Sequence, residues 1–132
     1  MNTRTELITE LTQALDATSV GVSSELPWFS GNQVLNEKNM RNVYMDHEQI
    51  ENTTLIETLD NSDVYEQIIE IPTYLTVDAK RLPSDISDVI QIIRHARQVI
   101  DAPTRECDMI TTIEDDKLTY EFTYRFIKIC CQ

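Results

Sequence analysis

The stretch Thr53–Val77 constrains the fold more than any other part of the chain. In its second half Ile69, Ile71, Leu75 and Val77 fall on one face by period two, and Ile68, Glu70, Tyr74 and Thr76 fall on the other. Two strand-like arms flank Asp60, Asn61, Ser62 and Asp63. These four are turn formers, because Asn and Asp bond their own main chain and tolerate unusual backbone angles. The pattern predicts a long antiparallel hairpin with one buried face. Pro72 interrupts the second arm; it has no N–H to give to a ladder, so it predicts an edge, a bulge or a bend.

A second alternation closes the chain. Leu118, Tyr120, Phe122, Tyr124 and Phe126 interleave with Thr119, Glu121, Thr123 and Arg125. Glu106–Ile113 and Leu118–Ile129 read as a hairpin around Glu114-Asp115-Asp116-Lys117. Ile127 and Ile129 depart from the alternation and predict a bulge or a strand end covered on both faces. Arg41–His47 reads as a short strand with Val43 and Met45 on one face and Tyr44 opposite.

Two stretches have helical period. Thr3–Ala17 places Leu7, Ile8, Leu11, Ala14 and Leu15 in one stripe, with Thr3 and Glu6 spaced as a capping box. Ser84–Ile100 presents Ile86, Val89, Ile90, Ile93, Ala96, Val99 and Ile100. Ser84 is its expected N-cap, and Asp85 and Asp88 suit the positive end of the dipole. Pro103 prevents continuation. Between the first helix and the first strand, Val20–Asn39 is the least regular segment and holds both glycines, Gly21 and Gly31. The order of elements predicts one α+β domain over residues 1–132. It has two layers: a mostly antiparallel sheet with two helices packed on one face.

The chemistry expected of these residues is sparse. The 132 residues carry 23 acidic against 11 basic side chains, a net charge of −12. Phosphate neutralisation needs a Lys/Arg surface, so wrapping of nucleic acid is not expected, and neither is an anionic membrane surface. An acidic wall past which DNA slides without sticking remains compatible. Cys107, Cys130 and Cys131 are odd in number and lack metal-ligand spacing. The first ten residues carry no apolar core of a signal peptide, and no run approaches a membrane span, so the expected site of synthesis is a cytoplasm.

His47 and His95 lie on separate elements with no ligand partner at helical spacing. Glu114-Asp115-Asp116 lacks the spacing of a calcium loop, and a solvated turn explains it better. No nucleophile elbow or glycine-rich phosphate loop occurs. No catalytic residue, metal or cofactor is therefore expected. Three sets of residues remain as candidate contacts to other subunits or partners. They are Trp28 and Phe29 in the irregular loop, Asp60, Asn61, Ser62 and Asp63 at the hairpin tip, and Asp115 and Asp116 in the closing turn.

Taken in order, these features resemble a family. The opening helix Thr3–Leu15 is followed by a loop with an aromatic and Gly31. Next come the strand around Val43-Tyr44-Met45, the acidic arm Glu57-Thr58-Leu59-Asp60 and the long strand Tyr65–Val77. A helix follows Pro83, and the acidic turn precedes Leu118-Thr119-Tyr120-Glu121-Phe122-Thr123-Tyr124. The chain thus resembles the tail terminator, or tail completion, proteins of long-tailed bacteriophages of the lambda-like type, and the related tail-to-head joining proteins. The resemblance spans most of the chain and is one of architecture, with no diagnostic motif; the tail Lys128–Gln132 and Pro72 depart from it.

The resemblance implies a structural virion protein that assembles in the host cytoplasm into a ring, a hexamer in this family. The ring caps the tail tube, stops its polymerisation and joins it to the head connector, and DNA passes through its channel without specific binding. Two other readings stand beside it: a neck protein of the same assembly, and a small cytoplasmic protein-binding module using Trp28 and Phe29. A small hydrolase or cyclase with sheet carboxylates is a more distant one.

Overall fold

A computed structural model describes residues 3–23, 42–56, 64–96, 102 and 104–131. The elements are α1 (Thr3–Ala14), β1 (Gly21–Ser23), β2 (Asn42–Met45), β3 (Gln49–Ile56), β4 (Val64–Asp78), α2 (Ile86–His95), β5 (Thr104–Glu114) and β6 (Lys117–Cys131). The strands form one sheet in the order β1-β2-β4-β6-β5, with β3 beside β4 on the same side as β2. Every pairing is antiparallel except β1 with β2. The α+β expectation holds: the sheet is mostly antiparallel, and both helices join one core with its inner face.

β4 and β6 are the spine. They pair without interruption from Val64 opposite Cys131 to Asp78 opposite Lys117. Period two then sorts their side chains. Ile69, Ile71, Leu75 and Val77 of β4 are buried beside Phe126, Tyr124, Tyr120 and Leu118 of β6. The alternation of β6 is thus the core pattern of the molecule. The unbroken ladder corrects the expectation of a bulge at Ile127 and Ile129. Both continue the alternation on the outer face, where Ile129 is exposed.

Pro72 also departs from expectation, since it lies inside a strand that is paired on both sides. At Pro72 one flank of β4 changes partner, from β3, which pairs to Glu70, to β2, which pairs from Thr73. The Pro72 carbonyl accepts from the Asp46 N–H at 2.8 Å. In an antiparallel ladder the return bond would run from the N–H of residue 72 to the Asp46 carbonyl. Proline has no such N–H. Arg4 supplies a donor instead: its Nε donates to the Asp46 carbonyl at 2.9 Å and its Nη2 to the Met45 carbonyl at 2.7 Å. One side chain of α1 therefore completes the ladder where β2 ends.

The helices cover the inner face. α1 buries Thr3, Leu7 and Leu11, and Leu15 just beyond it continues the row at i+4; Ala14 is exposed, so the stripe is narrower than expected. Thr3 falls inside the first turn rather than ahead of it. α2 buries Val89 and Ile93, with Ala96 next in the row, and Ile86 and Ile90 pack partly against the same core. Its N-cap residue is Asp85, not Ser84. The Asp85 carboxylate does not cap the helix; it accepts from the Ser19 N–H at 2.9 Å and from Ser19 Oγ at 2.5 Å, tying the segment after α1 to the start of α2. From the sheet, Tyr124 donates its hydroxyl hydrogen bond to the Ile93 carbonyl.

Gly21 and its neighbours are not loop. They form the short parallel strand β1, where a Cβ on Gly21 would meet Asn42 Oδ1 at 3.0 Å.

Candidate functional site

The register fixes which side chains share the outer face of the sheet, the face opposite the helices. Glu51 of β3, Glu66 and Glu70 of β4, Glu121 of β6, and Glu106, Asp108 and Glu114 of β5 all alternate outward. Against them stand Arg125 and Lys117 of β6. Arg125 lies between two acids directly across from it. Its Nη2 is 3.2 Å from Glu70 Oε1 and its Nη1 is 3.8 Å from Glu106 Oε2. Partial exposure of all three screens the bridges, so they orient the strands more than they stabilise them.

The acidic face also acts on Tyr74. Tyr74, opposite Tyr44 on one side and Glu121 on the other, has its hydroxyl pKa raised, first by burial and then by the negative charges of Glu121 and Asp46. Tyr44 is raised by burial, partly offset by a hydrogen bond with the Asn42 side chain. Thr76 and Thr119, opposite each other on this face, share a 3.0 Å hydroxyl contact.

Among the candidate contacts, Asp115 and Asp116 are described and occupy the tip of the β5–β6 hairpin. Their φ angles are 50° and 61°, so both sit in the left-handed region of a two-residue type I′ turn. Asp tolerates that region better than most residues, which explains the pair without invoking a ligand. The turn is tied back to the sheet end: the Asp116 carbonyl accepts from the Ala79 N–H at 2.8 Å, and its Oδ2 lies 3.2 Å from Lys80 Nζ. Trp28, Phe29, Asp60, Asn61, Ser62 and Asp63 lie outside the described residues.

Among the described residues no group of three His, Cys, Asp or Glu is placed to hold a metal ion, and no helix is long and apolar enough to cross a membrane. His95 Nδ1 is 2.7 Å from the Gln91 carbonyl on its own helix, and Arg105 Nε donates to the Ala102 carbonyl at 2.8 Å. A shallow depression bordered by Gln49, Ile50, Glu51, Ile68 and Glu70 lies at the β3–β4 pairing.

Two features that local sequence pattern does not reveal are strand edges. β5 pairs only with β6 and β3 only with β4 among the described strands. Ile110 and Ile113 on β5 and Ile50 on β3 are exposed at 61%, 68% and 51%. A sequence signal existed for them, isoleucines each with a Thr or an acid next to it, but which strands end at an edge depends on topology. No protein-family model matches this chain, and no curated protein matches it either.

Proposed function

We propose that this chain is a ring-forming subunit of a phage tail, the tail terminator that caps the tube and presents a surface to the head connector. The observation that supports the reading is architectural. With the short β1 set aside, a helix, a strand, a long hairpin, a second helix and a closing hairpin follow one another on a single sheet with both helices on one face. That is the order through which the sequence resembles tail terminators.

The outer face supplies the second half of the reading. Its acids outnumber its bases, and the whole chain carries −12. A channel wall with that charge repels phosphate, so DNA crosses it without being held. The partners in this reading are further copies of the chain, a tail tube protein and a head connector protein.

The test is assembly. Native mass spectrometry and negative-stain imaging of the purified chain, alone and mixed with tail tubes, should show a closed ring or ring-capped tubes of arrested length. A chain that stays monomeric and leaves tube growth unchanged sinks the reading. Binding to connectors but not to tubes moves the role to the neck of the same assembly.

A further inference from the structure

We propose that copies of this chain join head to tail, β3 of one copy adding to the open edge of β5 of the next, with Ile50 opposite Ile113. The inference rests on the self-assembling reading above and names its joint.

Both edges are available. All six residues from Gln49 to Thr54 are exposed, as are nine of the eleven residues of β5. Natural edge strands are usually blunted by Pro, Lys or a bulge, because an open row of N–H and C=O groups recruits another strand. Thr104–Glu114 contains neither Pro nor Lys, and its ladder to β6 is regular. It carries two exposed isoleucines instead.

Strand polarity matches. β3 is antiparallel to β4, β4 to β6, and β6 to β5, so β3 and β5 run in opposite directions on opposite sides of the sheet. Continuing the sheet from one copy into the next, with the helix layer on the same side, makes β5 and the neighbour's β3 antiparallel. The same joint then repeats at every subunit, and such a two-ended contact builds rings or filaments rather than closed pairs.

Side-chain chemistry selects a register. Opposite residues must share a face, and the regular part of β3 ends at Thr54, before the irregularity that precedes Ile56. Pairing all six residues Gln49–Thr54 within β5 leaves three registers. The first sets Glu51 against Asp108, acid on acid. The second sets Ile50 against Thr111 and Glu51 against Ile110. The third sets Ile50 against Ile113, Thr53 against Ile110, Glu51 against Thr112 and Gln49 against Glu114. Only the third joins exposed apolar residues and opposes no like charges. By contrast, two β5 strands paired over their full length would set Ile110 against Asp108 and Ile113 against Arg105. The favoured register also steps each copy along the strand direction, the stagger that a closed sheet requires.

A charge-rescue experiment tests the joint by sedimentation equilibrium of the full chain. T112E places an acid opposite the neighbour's Glu51 and should weaken association about fivefold per joint. Adding E51K to T112E should restore it. Both positions are exposed, and circular dichroism and the urea midpoint verify that each variant folds. If the wild-type chain assembles but T112E associates equally well, or E51K fails to rescue, the joint is wrong and the ring reading survives. A wild-type assembly that stops at two copies also overturns the joint. A wild-type chain that stays monomeric with and without tail tubes removes both.

Discussion

Thr73 shows how a single position can cost stability. It is fully buried on the core face opposite Phe122, and its Oγ1 has no hydrogen-bond partner among the described residues. A buried hydroxyl without a partner costs about 1–3 kcal/mol. T73V keeps the shape and removes the hydroxyl, so it should raise the urea unfolding free energy by about 1 kcal/mol; an unchanged or lower value would mean the hydroxyl has a partner. The tyrosines set a second residue-scale expectation. Burial raises the hydroxyl pKa of Tyr74, Tyr44 and Tyr120 above the ordinary value, and at Tyr74 the charges of Glu121 and Asp46 add to it. The folded state then holds protons that the unfolded state releases, so their contribution is intact below about pH 10 and is lost as pH rises through the folded values. Urea midpoints should fall as pH rises above about 10, and Y74F should lessen that fall.

At the scale of elements, the junction of β2, β3 and β4 is the informative place. Arg4 occupies the carbonyl that a residue other than proline at position 72 would satisfy. R4M should therefore destabilise by about 1–3 kcal/mol, the range for a hydrogen bond to a charged donor whose loss leaves a part-buried acceptor. In a P72A background the new N–H can return to Asp46, so the cost of R4M should shrink. Equal costs in the two backgrounds, measured as a double-mutant cycle in urea, would refute the substitution of one donor for the other. Pro72 was legible in the sequence as an anomaly, but the alternatives of edge, bulge or bend all assumed one partner strand. The structure gives β4 two successive partners on that flank, and which strand follows which is a long-range fact. The β6 alternation, by contrast, was legible from Leu118 to Phe126, because period two sorts faces without knowledge of the neighbour. Ile127 and Ile129 misled because an apolar residue on an open face looks, in sequence, like a change of phase.

For the whole molecule, charge and edges act in opposite directions. Two copies of a chain of charge −12 repel one another, and that repulsion is screened over about 10 Å at about 0.1 M salt. Self-association driven by strand addition and apolar contact should strengthen as salt rises from about 0.05 M to about 0.5 M, as measured by sedimentation velocity. Dissociation on adding salt would indicate a joint held by ion pairs and would count against the β3–β5 contact. The same acidity leaves the outer face unsuited to holding phosphate, which fits a surface that DNA passes.

Sequence by itself determined the class of this protein: two helices, two long hairpin patterns, the buried faces of the two long strands β4 and β6, and the acidic balance. These are local properties, set by period and composition within one element. Tertiary structure alone decided the order of strands, the exchange of partners at Pro72, the reach of Arg4 into that gap, and the grouping of Arg125 with Glu70 and Glu106. It also decided that, among the described strands, the long β5 and the exposed β3 stand at edges, as the short β1 does. Each of these joins residues far apart in the chain. Backbone hydrogen bonding is the same for every strand, so the choice among partners is made by how the whole core packs.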